Sequence, residues 1–211
     1  CIRNLTDCKV IFNGDGSDEV CGGYLYFHYA QNEYEFDLEC KRLLNNIHFF
    51  DVLRSDRTIS SNGLEARTPF LDKNFVASFL SIPAKIRYDT TKAYGEKYLL
   101  RKAFDDGITL PKEVLWRTKE AFSDGVSKKT RSWYEVIQEH VQKNTFTSEK
   151  PQQHNFTHMK PTTLEQSYYR REFNKHYEGC DEIIPYFWMP KFINASDASA
   201  RTLDIYKNKQ T

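Results

Sequence analysis

The stretch Lys9-Val10-Ile11-Phe12-Asn13-Gly14-Asp15-Gly16-Ser17-Asp18-Glu19-Val20-Cys21-Gly22-Gly23-Tyr24 constrains the chain more than any other. Lys9 to Phe12 is β-branched and aromatic, which predicts a short buried strand. Asn13-Gly14-Asp15-Gly16 then breaks it, and two glycines let the backbone turn tightly and approach a ligand closely. Ser17-Asp18-Glu19 has the small polar and acidic character of a helix start. A strand, a glycine turn and a helix start together suit an anion. Three carboxylates (Asp15, Asp18 and Glu19) would repel a bare phosphate, so a divalent metal reconciles the acids with the loop. Mg²⁺ takes one or two carboxylates and completes its shell with phosphate oxygens. A plainer account is a tight turn whose acids cap a helix, and these residues alone leave both open.

The 211 residues suffice for one domain of ordinary size or slightly more. With 39% hydrophobic and 28% charged residues the composition is that of a globular protein. The formal charge of +1 is spread over intermixed acids and bases, which gives no electrostatic case for a nucleic-acid or anionic-membrane partner. No apolar run approaches the ~18 residues of a membrane span. The five cysteines are odd in number and form no C-x-x-C pair, which argues for reduced thiols in a cytosol-like compartment. With no signal segment in view, a cytoplasmic location is expected, and the sequons at Asn4, Asn155 and Asn194 read as chance.

Along the chain, Ile2 to Asp7 reads as a frayed helix end or loop. The helix opened by Ser17 is predicted to continue through Val20, Tyr24 and Phe27, with Gly22-Gly23 allowing a bend. Glu35 to about Ser61 is the longest helical pattern, and Gly63 suits a left-handed cap. Leu64 to Asp72 is predicted extended, because Pro69 disfavours helix at Thr68. Asp72 caps a helix carrying Phe75 and Phe79, which Pro83 stops. A further helix is predicted from Glu96 to Asp106, then one turn from Pro111 to Leu115. Arg117 to Gly125 reads as a polar loop before a helix around Trp133 to His140. Asn144 to Pro161 is polar and expected to be mobile. Thr163 opens the last helix with a capping box, Thr163-x-x-Gln166. His154 and His158 could be drawn as a metal pair, but no third ligand accompanies them.

Several ordered motifs resemble the C-terminal synthetase domain of glutamine-hydrolysing asparagine synthetases. That family's Ser-Gly-Glu-Gly-Ser-Asp-Glu loop and Gly-Gly-Tyr are matched by Asn13 to Glu19 and by Gly22-Gly23-Tyr24. Tyr26-Phe27-His28, Leu64 to Asp72, Glu96-Lys97 with Leu100-Arg101, and Trp116 to Gly125 follow in family order. Tyr168-Tyr169-Arg170, Trp188-Met189-Pro190 and Ala198-Ser199-Ala200-Arg201 extend the likeness almost to the end. It implies an α/β, Rossmann-like adenine-nucleotide alpha hydrolase (ATP pyrophosphatase) fold. Of that fold the chain is expected to carry one core strand and the mainly helical C-terminal part. Residues 1–211 would then be a C-terminal portion of the synthetase domain. The glutaminase domain and the Ser-Gly-Gly-x-Asp-Ser pyrophosphate loop would lie outside it. Cys1 could be drawn as the glutaminase nucleophile, but Ile2-Arg3 rather than Gly-Ile follows it.

The resemblance also implies chemistry: aspartate and Mg-ATP give β-aspartyl-AMP and pyrophosphate, and glutamine-derived ammonia then displaces AMP. ATP and Mg²⁺ are the implied cofactors, aspartate and ammonia the substrates, a glutaminase domain the partner in cis, and a homodimer is left open. Asp18 would hold Mg²⁺ on the departing pyrophosphate, and Lys97 and Lys119 would add positive charge there. Asn13, Gly14, Gly16 and Ser17 would contact nucleotide and intermediate. Arg67 would either bind anionic substrate groups or pair with Glu65 or Asp72. Asp15 stands where the family has glutamate, the residue expected to support the intermediate and handle ammonia's protons, and Asn13 stands where it has serine. A non-catalytic module of the same fold, or a β-lactam synthetase-like enzyme, are the alternatives.

Overall fold

The computed structural model describes residues 1–89, 91, 95–117, 119–126, 131–146, 156–195, 198, 203 and 204. The chain divides into two compact units, Cys1–Lys119 with Trp188–Thr211, and Glu120–Phe187. Mostly helical, with a small parallel sheet in the first unit, it is an α/β protein.

In the first unit one helical turn, α1 (Ile2–Leu5), precedes strand β1 (Val10–Phe12). α2 (Ser17–Cys21) follows at once. It does not run on to Phe27 as the spacing predicts. Gly22 takes φ 66° and closes the helix, and a Cβ there would fall 2.3 Å from Cε2 of Phe36. Leu25–Tyr29 instead forms a separate 3₁₀ helix. The long predicted helix is likewise broken into α3 (Glu33–Asn46), a 3₁₀ turn at Ile47–Phe49 and α4 (Asp51–Ser60). Asn32 caps α3 by accepting from the Glu35 N–H at 2.9 Å. After the Asn45-Asn46 pair, β-branched and aromatic residues of modest helix propensity tighten the chain, and Phe50 leaves helical geometry at φ −124°, ψ −103°. Gly63 adopts the predicted left-handed conformation at φ 66°.

The extended segment that follows contains a second strand, β2 (Glu65–Arg67), parallel to β1 with Ile11 opposite Ala66. Among the described residues there are therefore two strands, not one. Three residues are too few for periodicity to reveal a strand, and pairing decides it. Parallel strands need a long crossover, here supplied by α2, α3 and α4. Nor is β1 buried as predicted: Val10 is 42% and Phe12 76% exposed. A two-stranded sheet leaves its faces and edges largely uncovered among the described residues.

Asp72 caps α5 (Lys73–Ser81), accepting from the N–H groups of Asn74 and Phe75. α6 (Ala84–Arg87) follows Pro83. α7 (Tyr98–Ala103) is shorter than predicted, starting after Lys97 rather than at Glu96. α8 (Lys112–Leu115) is the single turn that Pro111 announces. Two apolar clusters hold these pieces. Leu25, Tyr26 and Phe27 pack with Phe36, Cys40, Leu43 and Tyr88, while Val20, Cys21 and Phe79 form the second group with Leu99 and Leu100 at its margin. At roughly 1.5–3 kcal/mol per fully buried large apolar side chain, these clusters fix α2 and the loop before it.

In the second unit, α9 (Phe122–Gly125) takes the last four residues of the predicted Arg117–Gly125 loop, ahead of α10 (Trp133–Phe146) and α11 (Leu164–His176). Gln138 of α10 donates to Glu165 of α11, and the rings of His140 and Tyr168 meet edge to face. Thr163 accepts from the Gln166 N–H at 3.1 Å, and Gln166 accepts from the Thr162 N–H at 2.8 Å, so the predicted capping box returns one residue early. His154, Asn155 and half of the segment expected to be mobile, 147–155, lie outside the described residues, while 144–146 end α10. His158 places Nε2 2.8 Å from the Ile184 carbonyl. No described helix is long and apolar enough to cross a membrane.

Candidate active site

The loop between β1 and α2 is organised by its own side chains. Asn13 continues the ladder, its N–H donating to the Arg67 carbonyl at 3.0 Å, while its Oδ1 accepts from the Asp15 N–H at 3.1 Å. The Ser17 N–H closes the turn onto the Gly14 carbonyl at 3.2 Å. Gly16 needs to be glycine twice over: its φ is 88°, and a Cβ would lie 2.2 Å from Cδ2 of Leu71. Gly14 is exposed, and a Cβ there would meet nothing within 4 Å. Two polar atoms of the loop, Nδ2 of Asn13 and Oδ2 of Asp15, are buried without a hydrogen-bond partner.

Asp18 projects from the first turn of α2 between two lysines. Lys97 Nζ lies 2.8 Å from Oδ1 and Lys119 Nζ lies 3.0 Å from Oδ2, the three side chains being only 20–23% exposed. Lys97 also donates to the Ser17 hydroxyl at 2.7 Å. Its contact with Oδ1 is close but poorly aligned, so that oxygen has charge compensation without an aligned hydrogen bond. Burial pushes the Asp18 carboxyl up, but Lys97 and then Lys119 outweigh it and hold the group below its ordinary value. Lys119 arrives on the segment after α8, where Arg101 donates to the Arg117 carbonyl at 2.9 Å.

The structure thus brings Ser17, Asp18, Lys97 and Lys119 together, with Asn13, Gly14, Asp15 and Gly16 in the adjoining loop. The Arg67 side chain pairs with Glu65 rather than Asp72. It meets Glu65 at 2.7 Å, both side chains more than half exposed, and only its carbonyl serves the loop.

The pairings of other residues near the site escape a reading of the sequence. The Tyr24 hydroxyl lies 2.5 Å from Glu19 Oε1 and 3.2 Å from Asp51 Oδ2. A phenol has one proton to donate, so a second carboxylate is satisfied when a carboxyl proton is given back. Burial, together with the negative charges of Asp51 and Asp18, outweighs the Tyr24 hydrogen bond and pushes Glu19 up to about 7, which supplies that proton near neutrality. Glu96, next to Lys97, is also buried and meets His28 Nε2 at 2.9 Å. Its place beside Lys97 in the Glu96-Lys97 motif is the available signal; for Asp51 there is none.

Gly23 backs the cluster. A Cβ there would fall 1.9 Å from Oδ1 of Asp18, 2.5 Å from Cε of Lys97 and 2.8 Å from the Asp18 Cα. Gly23→Ala is therefore expected to destabilise the protein by about 2 kcal/mol, within the range for overpacking, because one obstacle is backbone. Denaturant unfolding of the full-length protein checks this, and an unchanged midpoint would mean that α2 can shift.

A half-buried carboxylate clasped by two ammonium groups beside a glycine turn is a centre suited to a polyanion carrying its own cation. Comparison with known proteins gives this centre its context. The sequence model of the family described as asparagine synthase matches residues 30–182. The chain is 46% identical over 209 residues to the asparagine synthetase [glutamine-hydrolyzing] of Gallus gallus, 47% over 210 residues to that of Rattus norvegicus and 45% over 210 residues to that of Homo sapiens. In each case the alignment covers 98% of this chain and 37% of the relative. The chain belongs to the asparagine synthase family.

Proposed function

We propose that this chain supplies the ATP and aspartate side of an ATP-dependent asparagine synthesis that draws ammonia from glutamine. The observation that carries this is Asp18 held between Lys97 and Lys119, in a chain 45–47% identical to relatives named for that activity. The full reaction belongs to the whole protein, since the chain spans 37% of the length of those relatives. The finer fold expectation is the Rossmann-like ATP pyrophosphatase type, into which the parallel β1–β2 pair would fit as two strands. A glutaminase domain would act in cis, and a cytoplasmic location fits reduced thiols.

The donor set suits Mg²⁺ that arrives on a polyphosphate. Among the described residues no three acids or histidines cluster to hold a metal unaided, whereas one or two carboxylates with phosphate oxygens are what Mg²⁺ commonly takes. Asp18 would be the ligand, with the orphaned Oδ2 of Asp15 nearby in the loop. Mg²⁺, when bound, neutralises charge on the polyphosphate and its leaving group. Lys97 and Lys119 do the same from the protein, exchanging the Asp18 carboxylate for phosphate oxygens. Asn13, Gly14, Gly16 and Ser17 shape the loop against nucleotide and acyl-adenylate, and Asp15 stands where the ammonia step needs a carboxylate. The aspartate β-carboxylate oxygen attacks the α-phosphorus, the bond to pyrophosphate breaks, and ammonia later displaces AMP from the acyl carbon.

The test is pyrophosphate and asparagine formation by the full-length protein from Mg-ATP, aspartate and either glutamine or ammonia. Lys119→Ala is expected to lower pyrophosphate release by roughly 10²-fold, the order of effect of losing one preorganised charge partner. Absence of aspartate-dependent pyrophosphate from the unmutated protein would instead favour a non-catalytic module of the same fold.

A further inference from the structure

Lys97 is held in an unfavourable backbone conformation. Its φ is 56° and ψ 34°, in the left-handed region that lysine avoids, and Gly95 two residues earlier has φ 85°. Something must hold the turn: the Lys97 N–H reaches the Gly22 carbonyl at 3.3 Å, its carbonyl accepts from the Arg101 N–H at 3.0 Å, and its ammonium reaches Ser17 and Asp18. The ammonium contacts are those the proposed reaction would break when phosphate enters. The backbone bonds at Gly22 and Arg101 remain, but neither holds the residue before Lys97, and a side-chain anchor for the turn has to lie elsewhere.

Glu96 provides it. The residue is 4% exposed, and its Oε1 lies 2.9 Å from Nε2 of His28. His28 sits on the 3₁₀ helix Leu25–Tyr29, whose Leu25, Tyr26 and Phe27 are each less than 5% exposed. Tyr26 and Phe27 stack at 5.1 Å, and Phe27 packs on Phe36 at 5.2 Å, so the platform beneath His28 is a packed core element. The cavity bordered by Gly22, His28, Arg87, Glu96 and Lys97 measures about 20 Å³, room for about one water.

We propose that Glu96 is a positioning residue. Its bond to His28 ties the strained Gly95-Glu96-Lys97 turn to the core and keeps Lys97 Nζ aimed at the Asp18 site when Asp18 releases it to phosphate. This rests on the role proposed above for Lys97 in pyrophosphate release. The bond tolerates either tautomer of His28, provided its partner can accept or donate in turn, which a glutamine side chain can do. Aspartate keeps the charge but draws the carboxyl back by roughly 1 Å, the scale of misplacement that can cost on the order of 10² in rate.

The experiment compares Glu96→Gln, Glu96→Asp, His28→Ala and Lys97→Ala in the full-length protein, with Mg-ATP- and aspartate-dependent pyrophosphate release as readout. Expected are near-parental turnover for Glu96→Gln (within about threefold), and a fall of roughly 10- to 100-fold in kcat for Glu96→Asp and His28→Ala. KM for ATP should stay within about threefold, since the loss is of aim rather than of uniform binding. The double variant Glu96→Asp with His28→Ala should be no slower than the worse single, because the pair acts as one unit. Better turnover with aspartate than with glutamine would overturn the latch and make charge the relevant property; so would additive losses. If His28→Ala does not fold, the ranking of glutamine over aspartate still decides. Should Lys97→Ala itself leave pyrophosphate release unchanged, the role given to Lys97 fails. Loss with Lys97→Ala and parental kcat in both Glu96→Asp and His28→Ala would sink the positioning proposal alone.

Discussion

Asp18→Asn in the full-length protein is expected to abolish pyrophosphate release from Mg-ATP and aspartate, a loss on the order of 10³ or more. The substitution keeps the size of the side chain and removes only its charge. That charge compensates two ammonium groups, 2.8 and 3.0 Å away, in a pocket where neither lysine is much more than a fifth exposed. Without it both the proposed metal ligand and the aim of the two lysines are lost. The same carboxylate has a stability signature that is independent of catalysis. Its folded pKa lies below the ordinary 3.8, burial notwithstanding, because Lys97 and Lys119 favour the charged form. A depressed acid contributes stability that is present above its unfolded value and is lost as pH falls through the folded one. The stability gap between the unmutated protein and the Asp18→Asn variant should therefore be full at neutral pH, start to close below about pH 3.8 and vanish in stronger acid. Unaltered pyrophosphate release with unaltered Mg²⁺ dependence would remove Asp18 from the site. A gap that did not change with pH would mean that the two lysines do not pair with it in solution.

How far the site can be read from the sequence depends on the range over which each part is fixed. The turn Asn13 to Gly16 is legible because its causes are local: two glycines, an Asx contact and an abrupt end to a β-branched run. Lys97 and Lys119 are legible only as motif residues. Their convergence on Asp18 spans 101 positions in the case of Lys119 and is produced by packing around α2 that no local pattern encodes. The left-handed backbone of Lys97 is hidden for the same reason, since lysine gives no sign of it. For Arg67 the sequence leaves two acidic partners open, and the geometry of a three-residue strand chooses Glu65, two positions away on the same side of the pleat. The helices show a parallel division. Asp72 and Thr163 are capping residues whose hydrogen bonds lie within four positions, and the sequence announces both. The stop at Gly22 depends on Phe36 from another helix, so apolar residues at helical spacing suggest one element where there are two. The exposure of β1 is invisible to composition, which reports what a strand could bury, not whether anything covers it.

The second large effect concerns the residue that departs from the family pattern. Asp15 stands where the related loop has glutamate, and the backbone that carries its carboxylate is held in place. The Asp15 N–H is tied to Asn13 Oδ1 at 3.1 Å, Gly16 is locked against Leu71, and Oδ2 of Asp15 is buried without a partner. A side chain one methylene shorter on such a backbone places its carboxylate roughly 1 Å short, which can cost on the order of 10² in a step that needs it near the acyl carbon. On the proposed mechanism adenylation leans on Asp18, the two lysines and the loop, so it should be spared relative to attack by ammonia. The full-length protein is therefore expected to release pyrophosphate in excess of asparagine, with β-aspartyl-AMP lost to water. Asp15→Glu should bring the two products towards equality, and quantifying pyrophosphate and asparagine in the same reaction checks both halves. Equal yields without the substitution would show that the orphaned carboxylate reaches its partner after the loop shifts on binding. An excess that persists in the glutamate variant would place the defect elsewhere, with Asn13 as the next residue to restore, because its side chain sets where residue 15 begins.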